Sequence, residues 1–242
     1  MAEGSNGNRN IILIAALVLA IGIIAGGYLL GDGLRRARMA DRAVTMRGLA
    51  ERNVTADLAT WTVSFSAQGA ELGAVQGEIE RDAITLANFF RAQGFPAEAV
   101  TDVGVSVNSY YDSNRGVNSV TVVRRVQLRT TDVMRARRAY ARQFDLIRTG
   151  VAIQEGSGMQ YSFTRLNDVK PQMIAQATQD ARRGAEQFAR DSGTAVGGIR
   201  SATQGYFSIG ARAGDVSEEG SGGNDSPFQK VRVVTTIEFY LD

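Results

Sequence analysis

Asp57–Gly69 reads DLATWTVSFSAQG, and apolar and polar side chains take turns along it. Leu58, Thr60, Thr62, Ser64 and Ser66 alternate with Ala59, Trp61, Val63, Phe65 and Ala67. Successive side chains of a strand point to opposite faces, so a period of two predicts a β-strand with one dry face. The dry face needs a cover, and the next stretch has the pattern to supply it. In Glu71–Gln93, Leu72, Val75, Ile79, Leu86 and Phe90 fall on one helical face, opposite Glu78, Arg81 and Asp82. Gly94 suits the C-cap of that helix and Pro96 its exit.

The same periods extend outward in both directions. Upstream, Ala43–Ala50 reads as a strand. Downstream, Val100–Tyr111 and Val117–Thr131 predict a hairpin around Asp112-Ser113-Asn114-Arg115-Gly116. In its second strand Val120, Val122, Val126 and Leu128 form a row that Arg124 interrupts. Asp132–Arg148 has Val133, Tyr140, Phe144 and Ile147 at helical spacing and Gly150 as its stop. A strand is expected over Ile153–Arg165, with Met159, Tyr161 and Phe163 on one face. A helix follows over Asp168–Asp191, capped by Asp168, with Pro171 in its first turn. Its alanines, Ala177, Ala181 and Ala185, would let it pack closely on a sheet. Ile199–Arg212 and Phe228–Leu241 read as strands flanking the glycine- and acid-rich loop Ala213–Pro227. The order ββαββαβαββ predicts an α+β domain over residues 43–242, with a largely antiparallel sheet and amphipathic helices on one face.

Before that domain comes Ile11–Leu30, IILIAALVLAIGIIAGGYLL, which is 20 residues without a charge. As a helix it would span the roughly 30 Å hydrocarbon core of a bilayer. The expected organisation is therefore a short tail (1–10), a transmembrane helix (11–30), a charged linker (31–42) and the domain. A cleavable signal has an apolar core of about 7–15 residues, so the longer run favours an uncleaved anchor. Gly22 and Gly26, and Gly27 and Gly31, make GxxxG steps that let such helices approach closely. Arg35, Arg36 and Arg38 beside the span are placed for lipid headgroups. With Arg42 they outnumber Arg9 on the other side, so the positive-inside rule by itself would put the domain in the cytoplasm.

Composition excludes more chemistry than it suggests. With no cysteine and no histidine, thiolate nucleophiles, Ser-His triads and most zinc or non-haem iron sites are ruled out. Net charge is +2, too small for a nucleic-acid footprint. Arg135, Arg137, Arg138, Arg142 and Arg148 fit the solvated face of an amphipathic helix. The two lysines, Lys170 and Lys230, do not sit as a Ser-Lys base would. Glu78 with Asp82 and Glu218 with Glu219 read as solvated acids. No catalytic residue, cofactor or metal ligand is expected.

Several pieces nonetheless fall in a familiar order. They are Val44-Thr45-Met46-Arg47-Gly48, Asp57 with Ala59 and Val63, Gln93-Gly94-Phe95 before Val100-Thr101-Asp102, and Tyr110-Tyr111. Later come Ala177, Asp180, Ala181, Arg182, Ala185 and Ala189 on one helix, Gly193 and Gly197 after it, and Val231, Val233, Ile237 and Phe239 at the close. Over about residues 43–241 the chain resembles the SIMPL-domain family of bacterial envelope proteins, which includes periplasmic immunogenic and oxidative-stress-defence proteins. The resemblance implies a domain in the periplasm, anchored to the inner membrane, without an agreed enzymatic activity. Some members are described as large ring-like homo-oligomers. The expected function is a non-enzymatic, self-assembling protein with a structural or stress-protective role in the envelope. Its expected partners are inner-membrane lipid, further copies of itself and another envelope protein, with no nucleic acid. An adaptor that captures another envelope protein or ligand is the alternative, and an uncharacterised hydrolase is the third reading.

Overall fold

A computed structural model describes residues 17–33, 42–113, 116–212 and 224–242. Helix α1 covers residues 17–33, and β1 (Ala43–Thr55), β2 (Leu58–Gly69) and α2 (Leu72–Ala92) follow. A 3-10 turn at Ala97–Ala99 leads into β3 (Val100–Asp112) and β4 (Val117–Thr130). Then come α3 (Val133–Tyr140), α4 (Phe144–Arg148), β5 (Gly158–Ser162) and α5 (Leu166–Ser192). The chain closes with β6 (Val196–Gln204), β7 (Ser208–Ala211) and β8 (Phe228–Leu241). The α+β class and the antiparallel pairing are as expected. The strands, however, divide between two sheets. One runs β3-β4-β2-β5, and the other runs β1-β8-β6 with β7 also on β8.

Two compact units share these elements, with boundaries inside β1, α5 and β8. The larger comprises Ala50–Ile174 and Tyr206–Val233. In it α2 packs on β2 and β4, and α3 on β2 and β5. The alternation read in Asp57–Gly69 becomes the floor of this core: Ala59, Trp61, Val63, Phe65 and Ala67 are all buried. Val75, Ile79, Leu86 and Phe90 of α2 cover it. The Trp61 ring meets Phe90 and Tyr140 edge-on, each at 5.2 Å between centroids, an arrangement the ring quadrupoles favour. Gly94, at φ +83°, ends α2 in a left-handed turn. There the Gly94 N–H donates to Arg91 O at 2.9 Å and the Phe95 N–H to Phe90 O at 3.0 Å. That bond pair is the Schellman motif, completed by the Phe95 and Phe90 rings in contact at 6.3 Å.

In the smaller unit (up to Leu49, Ala175–Gly205 and Val234–Asp242) the helix alanines do the packing. Ala177, Ala181, Ala185 and Ala189 are buried along α5. Val44, Ala181, Ala185, Ile237 and Phe239 form one apolar cluster. The approach is so close that a Cβ on Gly48 of β1 would collide with the carbonyl of Ala177. Asp180 adds a polar tie, accepting the Leu49 N–H at 2.9 Å.

Five elements differ from expectation, the first being β1, which runs on past Ala50 to Thr55. The single helix expected over Asp132–Arg148 breaks into α3 and α4, because Arg142, Gln143, Asp145 and Leu146 bond three residues back instead of four. Asp168 does not cap α5, which begins two residues earlier at Leu166, so Pro171 lies inside it. β5 is shorter than Ile153–Arg165, with Ile153 making only an isolated bridge to Phe65. The strand expected over Ile199–Arg212 is interrupted between Gln204 and Ser208. Of the loop Ala213–Pro227, residues 213–223 lie outside the described residues.

Among the described residues no helix is long and apolar enough to cross a membrane. The expected span begins at Ile11, and residues 11–16 lie outside the described ones. The part described, α1, is helical throughout.

Candidate functional site

The expected helix-packing glycines, Gly22, Gly26, Gly27 and Gly31, lie on α1, and a Cβ added to any of them meets nothing within 4 Å. Around them Leu17, Val18, Leu19, Ile21, Ile23, Ile24, Leu29 and Leu30 are all more than half exposed. An apolar helix surface with no cover from the described residues is what a lipid phase or another helix would take up. Arg35, Arg36 and Arg38, the expected headgroup contacts, lie outside the described residues.

A second candidate region surrounds the free edge of β3. Arg124, which breaks the valine row of β4, is four-fifths buried and reaches toward two carboxylates. Its Nε and Nη2 donate to the two oxygens of Asp102 on β3, at 2.8 and 2.9 Å, and its Nη1 donates to Glu80 of α2 at 2.9 Å. The bidentate bond from Arg124 holds the Asp102 carboxyl below the usual carboxylate range, against the opposing effect of burial. Beside this knot is a cleft of about 210 Å³ walled by Ala83, Leu86, Phe90 and Phe95, with Asp102 and Arg124 at its polar side. Because both charges are already paired, the cleft offers a ligand apolar contact and little else.

A third cluster centres on Asp57. Its carboxylate accepts from the Thr164 N–H at 2.8 Å, the Thr164 hydroxyl at 3.0 Å and Arg165 Nε at 3.0 Å. Burial pushes its pKa up, but the bonds from Thr164 and Arg165 outweigh that and leave it lowered. Asp57 thereby fastens Thr164 and Arg165, the two residues that lead into α5, whose first turn carries Asp168 itself.

Several other charged residues singled out in the sequence are tied up separately. Arg135 donates to the Gly94 carbonyl at 2.9 Å, Arg137 lies 5.6 Å over the Phe228 ring, and Arg148 pairs with Asp145. Lys230 pairs with Glu51 at 3.0 Å, and Lys170 sits over Phe207. Asp82 has a raised pKa from burial and, secondarily, from Glu78. Among the described residues no group of three acids is placed to hold a metal ion.

The SIMPL family model, described as a protein of unknown function (DUF541), matches residues 44–239. The chain belongs to the SIMPL family. No curated protein matched the chain. The match takes in both sheets and α2–α5 but not α1. The pieces that carried the resemblance now have physical roles. Gly48 and the alanine row allow the close approach of α5 to β1, Asp180 ties the β1 backbone, Asp57 fastens the residues just before α5, and Gly94-Phe95 closes α2. All are structural, and none converges on a reacting centre. Sequence reasoning passed over the Glu80–Arg124–Asp102 knot. Its only visible signal was the arginine interrupting an otherwise apolar row.

Proposed function

We propose that this SIMPL protein is a non-enzymatic assembly unit of the cell envelope, tethered to the inner membrane by the segment that contains α1, with its domain in the periplasm. The observation that carries the reading is the bare apolar surface of α1, from Leu17 to Leu30. At about 25 cal/mol per Å² of apolar area, keeping so many aliphatic side chains in water carries a large cost relative to an apolar phase. A bilayer removes that cost. The absence of histidine and cysteine, with the structural roles of Asp57, Asp102 and Asp180, supports a scaffold over a catalyst.

Membranes washed with alkaline carbonate are expected to retain the full chain, whereas a chain without residues 1–42 should be soluble. Release of the full chain by the wash would sink the tether. For topology, an alkaline phosphatase fusion at the C-terminus is expected to be active. An inactive fusion present at normal levels would place the domain in the cytoplasm, in line with the arginines after the span. Self-assembly predicts a detergent-solubilised mass well above the 26.0 kDa of one chain.

A further inference from the structure

We infer that the free edge of β3 is the surface through which two copies of this chain pair, antiparallel, about a two-fold axis at Asn108. This rests on the self-assembly reading above and names the surface that would carry it.

A strand at the border of a sheet exposes a row of unpaired N–H and C=O groups, and proteins usually guard such borders with charge, irregularity or shortness. The other borders here are guarded in these ways. β1 carries Arg47, Glu51 and Arg52. β6 loses register against β8 twice and carries Arg200. β5 is five residues long, and the Tyr161 N–H within it already donates to the Asn224 carbonyl at 2.7 Å. β3 has a bulge between Asp102 and Gly104 and charges at Asp102 and Asp112, but between these guards it is bare: from Gly104 to Asp112 its register with β4 is unbroken. Val103–Tyr111, VGVSVNSYY, contains no charge and no proline.

Among the described residues, the side chains along it lack cover as well. Val105 and Val107 pair with Arg124 and Val122, so they point to the face that α2 covers elsewhere. α2 packs on β2 and β4, leaving Val105 and Val107 58% and 52% exposed. Tyr110 and Tyr111 are similarly bare.

Charge admits a second copy as the occupant, and the ladder sets the register. The Asp102 charge is answered by Arg124 within the chain, so the uncharged stretch between Asp102 and Asp112 can meet its own image. A bulge separates Asp102 from Gly104, and the unbroken stretch Gly104–Asp112 is centred on Asn108. An axis there pairs the whole stretch with itself, placing Asp112 opposite Gly104, Val105 opposite Tyr111 and Val107 opposite Ser109, while Asn108 faces its own copy. Valine against tyrosine is among the favourable cross-strand pairs, and one patch used twice is how two-fold dimers are built.

The chain has no cysteine, so a single introduced thiol reports without background. Full-length Asn108→Cys in detergent, oxidised with copper phenanthroline, is expected to run as a disulfide-linked dimer, because directly opposed residues sit within disulfide reach. Ser201→Cys on β6 should stay unlinked. Val107→Lys should at least halve the mass measured by light scattering, while its thermal midpoint, read by circular dichroism, shows that it still folds. A wild-type oligomer whose mass survives Val107→Lys and whose Asn108→Cys form does not cross-link would overturn the β3 interface, leaving self-assembly to another surface. A monomeric wild type would overturn self-assembly itself.

Discussion

Asp57 and Gly48 show how much of this domain hangs on single side chains, or on the lack of one. Asp57 is held by three donors and its pKa is lowered in the fold. Its contribution is therefore complete above the unfolded value near 3.9 and is lost as pH falls through the lower folded value. Asp57→Asn is expected to lower the melting temperature at neutral pH, with the gap to wild type closing below about pH 4. A gap that persists at pH 2 would show that the amide changes packing, not charge. At Gly48 the limit is steric. Any Cβ strikes the Ala177 carbonyl, which is backbone and cannot swing aside. Gly48→Ala should cost about 1–3 kcal/mol in chemical denaturation, and an unchanged midpoint would mean that α5 can stand further from β1.

Among the elements, α2 was the most readable and its neighbour the least. The buried face of α2, its stop and the role of Gly94 were all legible, because a 3.6-residue period and a glycine C-cap are local signals. Replacing Gly94 by alanine forces a side chain into φ +83° and is expected to cost about 1 kcal/mol, visible as a lower midpoint in urea. The break between α3 and α4 left no such trace. No glycine or proline lies between Tyr140 and Phe144, so nothing local announces the switch to shorter hydrogen bonds. Arg124 illustrates a subtler case. It looked like a flaw in a valine row, yet it joins β4 to both β3 and α2. Arg124→Ala strands two partly exposed acids, and a loss of about 1 kcal/mol is expected. A matching loss in Asp102→Asn, without additivity in the double variant, would identify the pair as the cause.

For the whole chain, the bare surfaces matter most. α1 exposes its apolar side chains on all sides, and β3 exposes an uncharged stretch of edge. One is suited to lipid and the other to a second strand, so the two predict different solution behaviour. Removing residues 1–42 should abolish membrane retention yet leave β3-dependent dimers intact at micromolar concentration. Dimers that vanish with the anchor would instead assign assembly to the glycine row of α1.

By itself the sequence determined the α+β class, nearly every element and the dry face of β2, because side-chain period and turn chemistry are properties of neighbouring residues. It also limited the chemistry, since no arrangement can supply a histidine or a thiolate that the chain lacks. Only the tertiary structure decided that the strands divide between two sheets and that Asp57 holds the segment leading into α5. It also decided which strand is left at a border with an uncharged stretch. Those outcomes depend on which distant segments meet, and strand alternation does not encode a strand's partner.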